Sequence, residues 1–368
     1  MRRDSDTKYM SLAISLAKKA AGMTSPNPLV GAVLVKQGRI IGRGYHRRAG
    51  LPHAEIEAIL DAENKGKLVN GSTLYVTLEP CCHKDKRTPR CVDSILKKGI
   101  SNVVVGTLDP NPKVSGNGIE LLKQSGVNVK VGVAEEACKL INEAFSKYIR
   151  FGIPFVTLKL ACTLDGKIAT RTGDAKWIGS ESQRNFAHQL RKKVDAILVG
   201  IETVLHDDPE LTVRLGEITS NQPIPIILDS RLRIPIDSRL LKIHKSPLII
   251  TTNKADKEKI GDLEHMGSRV LICNCDKNGK IDLPSLLKKL GKLEITSVLL
   301  EGGSRVAASA LSQRVVDKIV IFYAPKIIGA EGVSMVGDLN IQKVNEALAI
   351  RGLKVKVFGE EVMIEGYV

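Results

Sequence analysis

His53, Glu55, Cys81 and Cys91 are the residue types of a zinc site that does chemistry. One imidazole and two thiolates leave a tetrahedral zinc ion one position short, and water takes it; a fourth protein ligand would close the site. An acidified water needs a group to move its proton, and Glu55, two residues from His53, has the chemistry for that role. His53-Ala54-Glu55 and Pro80-Cys81 match parts of the pattern H-x-E followed by P-C-x-x-C, which holds the ion in zinc-dependent base-modifying enzymes. Here nine residues separate the two cysteines. Cys82 is adjacent to Cys81 and cannot easily aim at the same ion, and His83 is the other candidate fourth ligand. With either, the cluster is a closed structural knot; a core of reduced cysteines is the remaining alternative.

Elements must bring these residues together. Pro52 stands before His53 at the favoured first-turn position of a helix running to about residue 64. Residues two apart on a helix face different ways, so the convergence of His53 and Glu55 depends on that helix's first turn. Residues 72–78 form a β-rich run ending at Glu79-Pro80-Cys81, and a short helix over 92–98 follows Cys91 and stops at Gly99. Upstream, residues 10–21 have helical periodicity and Pro26-Asn27-Pro28 breaks the chain. Residues 29–35 and 39–44 then read as a hairpin, with Gly31 implying close approach by another group.

Strands at 102–106 and 127–133, with helices at 119–124 and 134–148, complete an alternation that predicts α/β layering. The helical pattern stops around Arg150-Phe151-Gly152-Ile153-Pro154, so two domains are expected, 1–150 and 151–368. The second alternates again, with strands at 155–161, 196–200, 224–229, 248–252, 269–273 and 297–300. Helices are expected at 182–193, 257–265, 283–290 and from Ser304 to about 311, and a terminal strand at 319–324.

A chain of 368 residues can bury two substantial cores, and 43% hydrophobic with 26% charged residues is ordinary for a soluble protein. No apolar run approaches the roughly 18 residues of a membrane span, and the N-terminus lacks the apolar core of a signal peptide, so the cytoplasm is the expected address. Seven cysteines at 81, 82, 91, 138, 162, 273 and 275 do not resemble a secreted disulfide scaffold. A net charge of +15 invites a nucleic-acid reading, but the basic residues are scattered over helix faces, and no nucleic-acid or membrane partner is expected. In the second half, Val298-Leu299-Leu300 runs into Glu301-Gly302-Gly303-Ser304 and a helix, a turn at which backbone N–H groups can meet a phosphate, although a plain tight turn looks the same.

Larger blocks carry a family resemblance. Ser25-Pro26-Asn27-Pro28-Leu29-Val30-Gly31-Ala32-Val33, Gly44-Tyr45-His46, Pro52-His53-Ala54-Glu55, Thr77-Leu78-Glu79-Pro80-Cys81 and Arg87-Thr88-Pro89 before Cys91 resemble the deaminase half of the bifunctional riboflavin-biosynthesis deaminase/reductases. Thr157-Leu158-Lys159-Leu160-Ala161, Leu164-Asp165-Gly166-Lys167, Trp177-Ile178, Asp207-Asp208-Pro209-Glu210-Leu211-Thr212-Val213-Arg214 and Leu228-Asp229-Ser230 are similar to the reductase half.

The resemblance implies a cytidine-deaminase-like α/β/α domain and a dihydrofolate-reductase-like α/β domain. It implies Zn2+ and NADPH, and 2,5-diamino-6-(5-phosphoribosylamino)pyrimidin-4-one as the small phosphorylated substrate, first deaminated and then reduced at its ribosyl group to ribityl. In the first half His53, Cys81 and Cys91 hold the metal, Glu55 is catalytic, and Asn27, His46, His83 and Arg87 lie near the substrate. In the second, Ala161, Trp177, Thr203, Asp207, Ser230, Gly302, Gly303 and Ser304 contact the cofactor. Ala175, Arg191, Leu211, Arg214 and Glu301 meet the substrate, Ala175 through its backbone because relatives often carry Ser there. Lys159 and Asp207 are the candidates for moving protons, set against a snorkelling lysine and a capped turn; Trp177 has core packing as its alternative. A homo-oligomer through the reductase half is expected. Two departures fall in the loop between the cysteines, Arg90 in place of a proline and one extra residue in Lys84-Asp85-Lys86.

Overall fold

Apolar side chains alternate along the strands of the first half so that both faces of one sheet need a cover. The computed structural model describes residues 2–82, 89–112, 114–216, 222–276 and 279–368, which divide into units Met1–Gly152 and Ile153–Val368. The first unit runs α1 (Arg2–Lys18), β1 (Gly31–Lys36), β2 (Arg39–Tyr45), α2 (Ala54–Asn64), β3 (Thr73–Leu78), α3 (Cys91–Lys97), β4 (Asn102–Thr107), α4 (Asn117–Gln124), β5 (Asn128–Val131), α5 (Glu135–Leu140) and α6 (Glu143–Phe151). Its sheet has the order β2-β1-β3-β4-β5. Ala32, Leu34, Leu74, Val76, Val103 and Val105 pack with Ala54, Ala58 and Ile59 of α2 and Ile95 of α3. The alternate residues Val33, Val35, Tyr75 and Val104 pack with Met10, Ala13 and Ile14 of α1. The result is the expected α/β/α layering.

Register decides what this sheet can position. Antiparallel pairing sets Gly31 opposite Tyr45 and Ala32 opposite Val76, so the loop entering β1, the residue leaving β2 and the segment leaving β3 emerge at one sheet edge. A Cβ on Gly31 would lie 1.9 Å from the Ala13 carbonyl oxygen, which is the close approach expected there. Gly44 plays the same part for α2, since a Cβ there would lie 2.3 Å from the Ala54 carbonyl oxygen, so α2 starts against that edge. Two expectations change. The first helix begins at Arg2 because its polar start is anchored through Asp6, which accepts from Tyr75 Oη at 2.8 Å and Lys130 Nζ at 2.6 Å. The helix expected over 134–148 is two, broken where Asn142 turns its side chain back to Leu29.

The second unit contains β6 (Phe155–Thr163), β7 (Lys167–Ala169), α7 (Glu181–Arg191), β8 (Ala196–Gly200), α8 (Ile201–Asp207), β9 (Ile224–Leu228), α9 (Arg239–Ile243), β10 (Leu248–Thr251), α10 (Lys257–His265), β11 (Arg269–Ile272), α11 (Leu283–Lys292), β12 (Ser297–Leu300), α12 (Ser304–Ser312), β13 (Lys318–Ala324), β14 (Val333–Ser334), β15 (Arg351–Phe358) and β16 (Glu361–Tyr367). Its main sheet has the order β11-β10-β9-β8-β12-β6-β13-β16-β15, parallel from β11 to β13 and antiparallel beyond. Ala196 and Leu198 face Leu286, Leu290 and Ala310, while Ile197 and Val199 face Val204, Leu240 and Leu263. Leu158, Ile197, Ile226 and Phe322 are each under 2% exposed, and burial of side chains this size contributes about 1.5–3 kcal/mol apiece. The sheet does not end at 319–324 as expected. In β16 the inward position of the first residue is taken by Glu361, which accepts from Ser180 N at 2.7 Å and from the Ser180 hydroxyl, and a charged inward residue hides a strand's alternation.

Candidate functional sites

The edge described above gathers one cluster. His53 is the N-cap of α2, with extended backbone at φ −73° and ψ 163°, so it lies outside the helix and its side chain is free of the helical offset from Glu55. That removes the difficulty of two functional residues spaced i, i+2. Cys81 leaves β3 and Cys91 opens α3. His53 Nδ1 lies 3.2 Å from Cys91 Sγ and 3.5 Å from Cys81 Sγ, and the three donor atoms all fall within 4.8 Å of one another. Tetrahedral zinc with ordinary bond lengths spaces N and S donors by about 3.5 Å, so the cluster fits that ion.

Two further observations favour a cation. The Cys91 thiol's hydrogen bond pulls the Cys81 thiol down, while the same contact holds Cys91 up, and a thiolate is the form in which cysteine binds a metal. Glu55 is 3% exposed, and its Oε2 has no hydrogen-bond partner. Burial raises its carboxyl above the ordinary range, with His53 pulling the other way.

The neighbours orient what approaches. Pro52's carbonyl can only accept, so His46 Nδ1, 3.1 Å away, carries the proton and Nε2 accepts from Asn27 Nδ2 at 3.1 Å. That fixes which end of the Asn27 amide faces the histidine. The His46 ring also meets His53 edge-on at 5.3 Å between centroids. His83 and Arg87 lie outside the described residues. Arg90 turns to Asp93 at 2.7 Å, and Cys82 is buried beside the cluster without joining the donor set.

Sequence reasoning missed two supports. Glu79 accepts from the backbone N–H of Asp109 (3.1 Å), Gly116 (2.9 Å) and Gly118 (2.9 Å), tying the strand end that carries Cys81 to the segment before α4. Asn142 accepts from Leu29 N at 2.8 Å and donates to Leu29 O at 2.9 Å, bracing the loop that carries Asn27.

The second unit holds a cleft of about 380 Å³ at the C-terminal ends of its central parallel strands, where ligands enter sheets of this kind. Lys159 and Ala161 come from β6, Ala175 and Trp177 from the turn before α7, and Thr203 and Asp207 from α8. Leu211 and Arg214 follow α8, and Glu301, Gly302 and Gly303 follow β12. Ser230 and Ser304 do not line it: the Ser230 carbonyl accepts from Thr252 Oγ1, and the Ser304 carbonyl accepts from Gly337 N. Trp177 is 64% exposed, which rules out core packing, and Arg184 stacks on its ring at 4.6 Å. Asp208, not Asp207, is the capping turn residue, accepting from Arg239 N at 2.9 Å.

Arg191 is held by Glu301 through two bonds, Nε at 3.0 Å and Nη2 at 2.6 Å, and donates to the Thr212 carbonyl at 3.1 Å. Burial lowers the Lys159 ammonium, Glu301 opposing and Arg191 adding to the shift. Arg184, His188 and Arg191 lie on one face of α7 at helical spacing, a signal that was available in the sequence. Gly302 is crowded, since a Cβ there would lie 2.7 Å from Val306 Cβ, and Gly303 caps α12 without a side-chain hydrogen bond. A cleft with an exposed indole at its mouth and an uncapped helix start fits a dinucleotide.

Residues 3–107 match the cytidine and deoxycytidylate deaminase zinc-binding region, and residues 154–364 match the RibD C-terminal domain. The riboflavin biosynthesis protein RibD of Aquifex aeolicus (strain VF5) is 49% identical over 364 residues, covering 99% of each chain. That of Escherichia coli (strain K12) is 35% identical, covering 98% of each. Among solved structures, a diaminohydroxyphosphoribosylaminopyrimidine deaminase/5-amino-6-(5-phosphoribosylamino)uracil reductase from Thermotoga maritima superposes with a TM-score of 0.88 at 38% identity, covering 100% of this chain and 99% of that one. Acinetobacter baumannii RibD gives 0.88 at 32%, covering 99% of each.

Proposed function

The chain belongs to the family of the riboflavin biosynthesis protein RibD, and from that premise we propose how its residues divide the family's two reactions. It is a bifunctional enzyme of riboflavin biosynthesis, a zinc-dependent pyrimidine deaminase and an NADPH-dependent reductase. The reading gives residues 1–150 the deamination and 151–368 the reduction.

In the first reaction His53, Cys81 and Cys91 hold the metal. When bound, zinc supplies the Lewis acidity that lets water ionise near neutral pH. Glu55 takes the proton from that water and returns it to the departing nitrogen; a C–O bond forms, the C–N bond breaks, and ammonia leaves. Asn27, set by His46, holds the base edge, and His83 and Arg87 meet the rest of the substrate. In the second reaction NADPH, when bound, supplies a hydride. A C–H bond forms at the sugar carbon as its bond to the ring oxygen breaks, and that oxygen takes a proton from Lys159, with Asp207 at the mouth as the relay to solvent.

Ala161, Trp177, Thr203, Asp207 and the Gly302-Gly303-Ser304 turn contact the cofactor, and Ser230 reaches its far end. Glu301 and Leu211 position the substrate, Ala175 through backbone, while Arg191 and Arg214 face its phosphate.

The observation that carries this reading is the His53, Cys81 and Cys91 donor set closing within 4.8 Å beside a buried Glu55 oxygen that has no partner. The test supplies the diaminopyrimidine phosphate with and without NADPH and resolves the deaminated intermediate from the reduced product. Glu55→Gln should stop ammonia release, keep its zinc, and still oxidise NADPH on pre-deaminated substrate. Deamination surviving in that variant overturns the role of Glu55.

The enzyme acts in the cytoplasm as a homo-oligomer. No described helix is long and apolar enough to cross a membrane, and all seven cysteines are free, which suits a reducing compartment. The edge strand β15 presents Leu353, Val355 and Val357 at 60%, 64% and 66% exposure, a surface suited to a second copy.

A further inference from the structure

The cleft of the second unit contains a side chain with no role in the reading above. Gln183, on α7, lines that cleft and is only 3% exposed, yet neither its Nε2 nor its Oε1 has a hydrogen-bond partner. A buried amide left unpaired at both ends is costly, and an apolar side chain of the same length would relieve the cost. The fold also makes room for it. A Cβ on Gly179 would lie 2.2 Å from Gln183 Oε1, so the amide occupies its place because residue 179 has no side chain. Gly179 lines the same cleft, next to Trp177 and Ile178. Glu361 fixes the start of α7 by accepting from Ser180 N at 2.7 Å, so the helix is held at the end that carries Gln183.

We propose that Gln183 is a ligand-recognition residue of the reductase cleft, pairing its amide with a neighbouring N–H and C=O on the bound molecule. The inference rests on the reductase reading. A donor and an acceptor side by side complement another amide edge, and the reaction brings two: the nicotinamide carboxamide and the ring edge of the uracil. Both amide bonds form only when the ligand arrives, so their strength falls on binding and not on folding.

The full-length enzyme carrying Gln183→Met tests this. Methionine matches the length and helix propensity of glutamine and has no amide. NADP+ affinity is measured by calorimetry, the Michaelis constant of the uracil substrate at saturating NADPH, and thermal unfolding on the same samples. The melting temperature should hold or rise, while at least one of the two constants rises about tenfold. A rise in the NADP+ dissociation constant identifies the carboxamide as the partner, and a rise in the Michaelis constant alone identifies the uracil edge. Both constants within about twofold of the parent, at an unchanged or higher melting temperature, overturn the proposal. If the methionine variant does not fold, Gln183→Glu keeps the shape, removes the donor, and must raise the same constants. A parent enzyme that neither binds NADP+ nor reduces the uracil sinks the reductase reading itself, and the role of Gln183 with it.

Discussion

Burial raises the Glu55 carboxyl and lowers the Lys159 ammonium, because in both cases the charged form is the one deprived of water. For Lys159 this makes proton release easier, which suits a group that gives its proton as hydride arrives. Lys159→Met should cut NADPH oxidation by roughly 100-fold or more and leave ammonia release intact. In the parent enzyme reduction should fall as pH rises through the lowered lysine value, since only the protonated form donates. A variant that reduces at the parent rate would remove Lys159 from the chemistry.

His188, on the same helix face as Arg191, makes a separate prediction. Burial, reinforced by Arg191 and Arg214, lowers it from 6.5 to about 4, and its Nδ1 accepts from Arg214 N at 3.3 Å, which requires a neutral ring nitrogen. The unfolded chain therefore binds the proton that the folded one refuses, so stability is present above about pH 6.5 and is lost as pH falls towards about 4. Urea midpoints across that window should drop less in His188→Asn than in the parent; identical slopes would show that His188 carries none of the effect. The His53, Cys81 and Cys91 cluster was legible in the sequence because its residue types are rare and specific. His188 was legible only through the α7 face it shares with Arg184 and Arg191, and Gln183 was not, since a lone glutamine on a helix looks like solvent-facing polarity until a cleft is seen against it.

Elements explain why the donors meet. Register places the exits of β2 and β3 and the entry to β1 at one edge, and Gly31 and Gly44 let α1 and α2 press onto the sheet. Most of this layering could be read from strand and helix alternation. The braces could not, because their partners are far along the chain: Glu79 reaches Gly118, and Asn142 reaches Leu29. Glu79 holds three backbone N–H groups from a position two residues before Cys81, one of the three proposed metal ligands. Glu79→Gln presents an amide N–H to donors that need an acceptor, and each group left unpaired costs about 1–3 kcal/mol. Zinc affinity, measured by competition with a chelator, should weaken about 10–100-fold, the range found when groups supporting metal ligands are removed. Unchanged affinity would mean that Cys81 needs no such anchor. The sheet's last two strands were missed for a related reason: Glu361 points inward to hold Ser180, and β15 carries its apolar residues outward.

At the scale of the whole molecule, β15 is the feature that a single copy leaves unexplained. It is an edge strand eight residues long, and Leu353, Val355 and Val357 on one face are each at least 60% exposed. Edge strands in monomers are usually blunted by charge, and here the charges Lys354 and Lys356 alternate with the apolar positions, Lys356 folding over the Phe186 and Phe358 rings at 4.9 and 4.7 Å. Seven of its eight residues are exposed, the three apolar ones among them, and no described element covers that apolar face. A second copy related by a two-fold axis would bring the same three apolar residues against their counterparts, burying them without any new partner. Val355→Lys sets a charge in the middle of that face. Light scattering should show the parent as a dimer or a multiple of one, and the variant with a dissociation constant raised on the order of 100-fold. NADPH oxidation on pre-deaminated substrate needs the second unit folded, so its retention in the variant separates loss of assembly from loss of folding. A variant as tightly associated as the parent would move the interface elsewhere, and a monomeric parent would remove it altogether.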